Sequence, residues 1–173
     1  MLLLVLPVSA AEYEKPYRDI EAGYHQILLA EEWEAFIEAL ATSESGGDWY
    51  VINSIGAIGR YQFTEHTLQN LGYSVTSAAF KCDSSIFTAS MQHEALKALF
   101  RYNETILSDF INHYDGMIVD GVFVTKGGIL AAAHLSGAGG VKAWLCSAGT
   151  VNRSDGHTSV KDYLIKFSAY RLK

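Results

Sequence analysis

The chain has 173 residues, of which 49% are hydrophobic and 18% charged, and only two prolines. This length and composition predict one domain with a sizeable core and exclude an intrinsically disordered chain. The net charge of −6 argues against nucleic acid as a partner, since that binding needs a basic surface, and no run of about 20 apolar residues predicts a membrane span.

The first ten residues, MLLLVLPVSA, resemble the hydrophobic region of a signal peptide. Val8 and Ala10 form a small-residue cleavage pattern, although the basic residues that usually precede the apolar run are missing. The alternative is a short apolar segment packed on the domain. We favour export and therefore expect a periplasmic or secreted protein. We expect residues 11–29 to form a linker or N-terminal arm, and residues 30–173 to form the domain itself.

The segment from Ala30 to Thr42 predicts an amphipathic helix, because large apolar side chains recur at spacings of three, four and seven. Those side chains are Trp33, Phe36, Ile37 and Leu40. Glu44 follows the predicted helix end and precedes a glycine-rich run, which lets the backbone approach a ligand closely. One acid at a helix end, facing a loop with few bulky side chains, predicts a saccharide-cleaving site.

Cleavage of a glycosidic bond needs a proton donor that stays protonated near neutral pH, and burial among apolar groups provides this. Four aromatic residues downstream of Glu44 are available to form such a pocket. They are Trp49, Tyr50, Tyr61 and Phe63. The alternative is that Glu44 is an ordinary exposed glutamate near a helix end.

The segment from Glu44 to Phe63 resembles a motif of soluble lytic transglycosylases and goose-type lysozymes. It reads E-S-G-G and then N-S-x-G-A-x-G-x-Y-Q-F, and its GRYQF ending is closer to phage-type endolysins and tail-associated muramidases. A second segment, AHLSGAGGV at Ala133 to Val141, resembles the A-Y-N-A-G-x-G-x-V segment that lines the family's sugar cleft. Together the motifs imply a mainly α, lysozyme-like (α+β) fold, in which a helical bundle surrounds a saccharide cleft.

The resemblance implies a role for each matched position in the first motif. Glu44 matches the catalytic acid, and Gln62 matches a residue that binds sugar in the cleft. Ser45 and Ser54 fall where the family places supporting hydroxyls, and we expect Tyr61 to help Gln62 hold the sugar.

The second motif departs from the family pattern at two positions. His134 stands where a tyrosine usually contacts the acid, and Leu135 replaces an asparagine. His134 either donates a hydrogen bond to Glu44, which would couple the site to pH, or binds a backbone carbonyl as an ordinary helix-face histidine. Ser136 and Gly137 are expected to form the facing wall of the cleft.

Hydrolytic glycosidases usually pair the acid with a second carboxylate. Asp48, Glu65 and Asp155 are candidates, although Asp48 also fits an Asx turn and Glu65 also fits the first turn of a helix. The family's lytic members need one acid only, because the 6-hydroxyl of the substrate closes onto the anomeric carbon. The sequence therefore favours a lytic transglycosylase over a muramidase, with a peptidoglycan-binding module of a secretion or phage-tail machine as a third hypothesis.

The rest of the chain predicts mainly helices. They are Thr64–Leu71, Ser77–Phe80, Ile86–Tyr114, Ile129–Leu135, Val141–Cys146 and Ser159–Arg171. One face of the long helix is marked by Met91, Ala95, Leu99, Tyr102 and Ile106. Gln92 is interpreted as a surface glutamine, and Tyr163 as part of a core-facing stripe. Two apolar triplets around Asp120-Gly121 predict a type I′ β-hairpin near residues 117–124.

Cys82 and Cys146 are the only cysteines, and in an exported chain such a pair suggests a disulfide. Two buried free thiols are the alternative. The cysteines and histidines do not show the spacing of metal ligands, so neither a metal nor a cofactor is predicted. The implied partner is the glycan strand of peptidoglycan.

Overall fold

A computed structural model describes residues 10–173 of the chain, so that residues 1–9 of the predicted signal segment lie outside the described residues. Within the described part, helices surround a core and one short hairpin interrupts them, which confirms a mainly helical fold. The elements are α1 (Ala10–Ser45), α2 (Glu65–Asn70), α3 (Ser77–Cys82), a 3-10 helix (Ser84–Phe87), α4 (Ala89–Tyr114), β1 (Ile118–Val119), β2 (Val122–Phe123), α5 (Lys126–Cys146) and α6 (Val160–Lys166).

Helix α1 is much longer than predicted, since residues 11–29 continue the same helix instead of forming a linker. Apart from Tyr24, whose side chain is not described, residues 21–28 of this helix are exposed. The buried face begins further along, at Phe36, Ile37 and Leu40, as the apolar spacing predicted. The boundary of the domain near residue 30 stays a prediction.

The later helices begin at hydroxyl side chains. In α2 to α6, the residue before the first helical position is a threonine or serine whose oxygen accepts the backbone N–H three residues further on. These caps are Thr64, Thr76, Thr88, Thr125 and Ser159. Such caps satisfy a backbone donor that has no partner inside the helix, so the short helices start at defined positions.

Aromatic side chains join three helices in the core. The ring of Phe36 on α1 lies 5.3 Å from that of Phe100 on α4 and 5.8 Å from that of Phe167 at the end of α6. Helix α5 packs against both α4 and α6, and its alanine run 131–133 is buried.

Helix α5 joins two segments that were predicted as separate helices. It bends at Gly137, whose φ of 69° and ψ of 165° are not helical, and φ in this range strains any residue with a Cβ. By length and mean hydropathy of 1.2, α5 alone among the described helices is apolar enough to cross a membrane, and half of that window is buried inside the protein. A helix in a protein core has the same composition.

The buried face of α4 differs from the predicted one. Leu96, Phe100, Leu107 and Ile111 face the core together with two polar residues, Gln92 and Asn103. Tyr102, predicted on the buried face, is 60% exposed, and Ile106 is 36% exposed. The predicted face is rotated away from the buried one, because the prediction used apolar residues only and left out the buried Gln92 and Asn103.

The predicted hairpin is confirmed. Ile118 pairs with Phe123 and Val119 with Val122, in antiparallel register. The two residues between the strands, Asp120 and Gly121, have φ of 48° and 75°, the left-handed conformations that a type I′ turn requires.

Both expectations for the cysteines are wrong. Cys82 at the end of α3 and Cys146 at the end of α5 are free thiols, and both are exposed.

The glycine-rich segment after α1 is folded back against α4 by Gln92. The side-chain oxygen of Gln92 accepts the backbone N–H of Arg60 at 2.8 Å, and its amide nitrogen donates to the carbonyls of Trp49 at 2.9 Å and Phe87 at 3.0 Å. Gln92 is only 1% exposed, so its interpretation as a surface glutamine is wrong. Gly59 lies against this side chain with φ of 72°.

Replacing Gly59 with alanine should destabilise the protein, because a Cβ at this position would overlap the side chain of Gln92. We expect a loss of about 2–4 kcal/mol in the free energy of unfolding, the sum of a left-handed alanine and an overpacked site. Chemical denaturation measures it. Gly72→Ala is the matched control, since Gly72 has φ of 87° but open space around it, and it should lose only about 1–2 kcal/mol. Equal losses would contradict the packing argument.

Candidate functional site

Glu44 lies in the last turn of α1, one residue before the helix ends, and is half-buried. Its Oε1 accepts a hydrogen bond from the hydroxyl of Tyr163 at 2.5 Å. Tyr163 comes from α6 and is 4% exposed. Burial, and then the nearby charge of Glu44, raise the pKa of the Tyr163 hydroxyl well above its ordinary value, so that this group remains a proton-bearing donor.

Tyr163 is the site residue that sequence reasoning missed. Its place in the stripe with Val160 and Leu164 correctly predicted that the ring is buried, and no function was assigned to it. A buried tyrosine hydroxyl usually has a hydrogen-bond partner, so the residue type itself was a signal that a polar group lies opposite. The identity of that partner, 119 positions away, was not readable from the pattern.

The end of α1 is fixed on both sides of Glu44. The hydroxyl of Ser43 accepts a hydrogen bond from Lys166 of α6 at 2.6 Å, and the hydroxyl of Ser45 donates to the carbonyl of Arg60 at 2.7 Å. The end of the helix that carries Glu44 is therefore held between α6 and the glycine-rich loop. Ser45 is bonded to the loop through this contact, and its role beside a bound sugar stays a prediction.

The two sequence motifs meet at the backbone of Arg60 and Tyr61. Ser45 binds the carbonyl of Arg60, and Nε2 of His134 lies 2.8 Å from the next carbonyl, that of Tyr61. A carbonyl only accepts, so Nε2 of His134 carries the hydrogen, and in the neutral tautomer Nδ1 is then an acceptor. The predicted hydrogen bond from His134 to Glu44 is therefore not formed, and the alternative of a backbone carbonyl partner is confirmed.

The aromatic residues after Glu44 do not form the predicted pocket. Tyr61 and Phe63 are each 1% exposed and belong to the core, and the Tyr61 hydroxyl pairs with Nδ1 of His93 at 3.2 Å. Burial raises the pKa of Tyr61 to about 12. Tyr50 is 69% exposed, and the Arg60 guanidinium covers the half-buried ring of Trp49 at 4.5 Å. The expectation that the Tyr61 ring holds a sugar is therefore wrong.

Other predicted site residues lie on the loop and at the bend of α5. Gln62 is half-buried, has φ of 51°, and donates from Nε2 to the carbonyl of Gly59 at 2.8 Å. Ser54 is exposed on the same loop. Ser136 donates to the carbonyl of Ala132 at 3.0 Å within α5, and Gly137 is exposed at the bend.

The predicted second carboxylates are all engaged locally. Asp48 accepts the backbone N–H of Tyr50 at 2.8 Å, which confirms an Asx-type turn. Glu65 accepts the backbone N–H of Ser77 at 2.7 Å and its hydroxyl at 2.8 Å, and these bonds lower the pKa of Glu65. Asp155 accepts backbone N–H groups from residues 157 and 158, both at 2.8 Å, which lower its pKa in the same way.

Two large open grooves are among the pockets on the described part of the surface. The first, which we call the α2–α4–α5 groove, has a volume of about 850 Å³ and runs between α2, the middle of α4 and the bend of α5, where His134 and Gly137 line it. The second has about 690 Å³ and lies between α3 and the loop that carries Tyr50. Glu44 is not among the described residues that line either groove.

Among the side chains that the structure describes, no three His, Cys, Asp or Glu residues gather as they do around a metal ion. No protein-family model, curated protein or solved structure matches the chain.

Glu65→Gln should lower stability at neutral pH without removing a catalytic group. Because the pKa of Glu65 is lowered in the folded protein, its contribution is fully present above its ordinary pKa of 4.5 and is lost as the pH falls through the folded value. The difference in unfolding free energy between wild type and variant should therefore shrink towards zero in acid. Denaturation across a pH series measures it, with exposed Glu31→Gln as the control. A difference that is independent of pH would contradict the assignment.

Proposed function

We propose that the protein is a glycosidase that cleaves the MurNAc-β-1,4-GlcNAc bond of peptidoglycan, acting as a lytic transglycosylase with Glu44 as its acid and base. The observation that carries the proposal is the hydrogen bond from Tyr163 to Glu44. An ordinary surface glutamate at a helix end faces solvent. Here a buried tyrosine from a distant helix fixes one carboxyl oxygen, which leaves the other oxygen free to transfer a proton.

The first step is proton donation. With Oε1 bound by Tyr163, Oε2 of Glu44 carries the proton and gives it to the glycosidic oxygen, while the bond from this oxygen to the anomeric carbon of MurNAc breaks. Glu44 becomes a carboxylate as the leaving GlcNAc takes the proton. A hydrogen bond to an ionised group is stronger than one to a neutral group, so Tyr163 stabilises the charge that develops on Glu44.

The second step closes the product ring. The Glu44 carboxylate accepts the proton of the MurNAc 6-hydroxyl, and the freed oxygen bonds to the anomeric carbon to give a 1,6-anhydro end. Glu44 is protonated again, so the cycle needs neither water nor a second carboxylate. The local bonds of Asp48, Glu65 and Asp155 support this route over hydrolysis, because each carboxylate is already engaged by neighbouring N–H groups.

We propose that the protein is periplasmic or secreted, because its proposed substrate lies outside the cytoplasmic membrane. We further propose that it acts on the wall as part of a machine that crosses it, either a secretion system or a phage tail. A non-catalytic glycan-binding module is the second candidate function. It is favoured by one observation, namely that the larger groove is not lined by Glu44.

Glu44→Gln should abolish cleavage while preserving the fold, because the amide cannot donate or recover the proton. Purified protein is incubated with peptidoglycan sacculi, and the released muropeptides are identified by mass spectrometry. We expect 1,6-anhydro products from the wild type and from Asp48→Asn, a control that changes an exposed acid of the adjacent loop. Activity that survives in Glu44→Gln would contradict the proposal. Reducing-end products would indicate a muramidase, and binding without release would favour the module.

Tyr163→Phe should slow cleavage by about tenfold to a hundredfold, since a hydrogen bond to a charged group contributes about 1.5–3 kcal/mol. The loss should appear in kcat with little change in KM, because the bond strengthens only as Glu44 becomes charged. Rates of muropeptide release measure the effect. Tyr170→Phe, which alters a tyrosine packed on the same core, is the control. A rate equal to that of wild type would exclude Tyr163 from catalysis.

A further inference from the structure

We propose that the α2–α4–α5 groove binds an N-acetylated sugar of the glycan strand at a position away from the bond that is cut. This inference rests on the proposed function for the identity of the strand. The groove has a volume of about 850 Å³, within the range of about 300–1,000 Å³ that is usual for ligand sites. Its walls come from helices, so its shape is fixed by the core.

The groove is suited to an uncharged ligand. Among the described residues that line it, none is Lys, Arg, Asp or Glu, although 18% of the chain is charged. The polar lining consists of amides, hydroxyls and imidazoles, interleaved with leucine, isoleucine and tyrosine side chains. Neutral hydrogen-bonding groups among apolar ones match a sugar, which presents hydroxyls and an acetamido group beside C–H surfaces. The groove offers no positively charged side chain to bind an acidic peptide or a nucleic acid.

Two unsatisfied polar atoms belong to residues that line the groove. Asn103 is 2% exposed, and its Nδ2 has no hydrogen-bond partner within the described part of the chain. Nδ1 of His134, left as an acceptor by the bond to Tyr61, is also buried and without a partner there. A buried polar group without a partner is unfavourable, so such groups are commonly completed by a ligand or water. Both atoms have almost no accessible surface, so a ligand in the groove reaches them only after the side chains of Asn103 and His134 move towards it. An acetamido group would then supply the complement, a carbonyl for Asn103 and an N–H for His134.

An exposed aromatic ring stands beside these atoms. Tyr102 precedes Asn103 on α4, lines the groove and is 60% exposed. Ile106, one turn further, lines the same wall. A large apolar face left in solvent next to unsatisfied polar groups is typical of a binding site. The ring of Tyr102 offers a flat surface for the C–H face of a pyranose.

His134 connects the groove to the acid. It lines the groove and binds the carbonyl of Tyr61, while Ser45, the neighbour of Glu44, binds the preceding carbonyl of Arg60. The groove and the acid are thus attached to consecutive residues of one loop. A glycan strand that occupies the groove would therefore be held by the same loop that lies beside Glu44.

The test is titration of a β-1,4-linked GlcNAc tetramer into the full chain carrying Glu44→Gln, which prevents turnover. Calorimetry gives Kd, and NMR spectra identify the groove residues that shift. We expect Tyr102→Ala and Asn103→Leu to weaken binding tenfold or more. Tyr50→Ala, which removes an equally exposed tyrosine from the other groove, should leave Kd unchanged. Thermal unfolding checks that each variant is folded. If Asn103→Leu does not fold, Tyr102→Ala still tests the inference, because Tyr102 is exposed and its replacement should not disturb the core.

The outcomes separate this inference from the proposed function. Failure of the tetramer to bind, or a Kd that neither groove variant changes, would overturn the groove site even if sacculi are cleaved in a Glu44-dependent way. Weakening by Tyr50→Ala to the same extent would also overturn it. Binding that depends on Tyr102, in a protein that releases no muropeptides, would support the groove site while the proposed cleavage fails.

Discussion

The buried side chain of Gln92 holds the candidate site together. One amide from α4 satisfies three backbone groups of two separate segments, those of Trp49, Arg60 and Phe87. Gly59 allows this because the loop can pass over the amide only where no Cβ intervenes. The glycine-rich loop, whose Ile58, Tyr61 and Phe63 side chains enter the core, is fixed there by this amide as well. A buried amide without partners is unfavourable, so the bonds of Gln92 fix the loop and α4 relative to each other.

Once the loop is fixed, two consecutive carbonyls become docking points for distant parts of the chain. The end of α1 reaches Arg60 through Ser45, and α5 reaches Tyr61 through His134. Helix α6 then closes the arrangement from the other side with Tyr163 and Lys166. The acid is therefore oriented by contacts that are almost all long-range. The bonds are of two kinds: Ser45 and His134 bind backbone carbonyls of the loop, whereas Tyr163 and Lys166 bind the side chains of Glu44 and Ser43.

Local features were predicted well because their causes are local. The Asp120-Gly121 turn follows from backbone conformation, and the buried Phe36, Ile37 and Leu40 follow from the spacing of large apolar side chains on α1. Polar residues in the core were predicted poorly. Gln92 was assigned to the surface, and the buried Asn103 was not singled out, because glutamine and asparagine are usually exposed and their burial depends on partners elsewhere. The disulfide prediction failed for a similar reason, since pairing depends on the distance between two helix ends, which the sequence does not give.

The sequence by itself determined the mainly helical class, the buried face near the end of α1, the hairpin and the position of the candidate acid at the end of α1. It did so because period, capping and turn chemistry act within a few residues. Only the tertiary structure decided which groups touch: Tyr163 rather than His134 on Glu44, His134 on a carbonyl, and Tyr61 inside the core. Each of these contacts joins positions at least 73 residues apart or depends on burial, and the free energy of a buried polar contact exists only after the chain has folded around it.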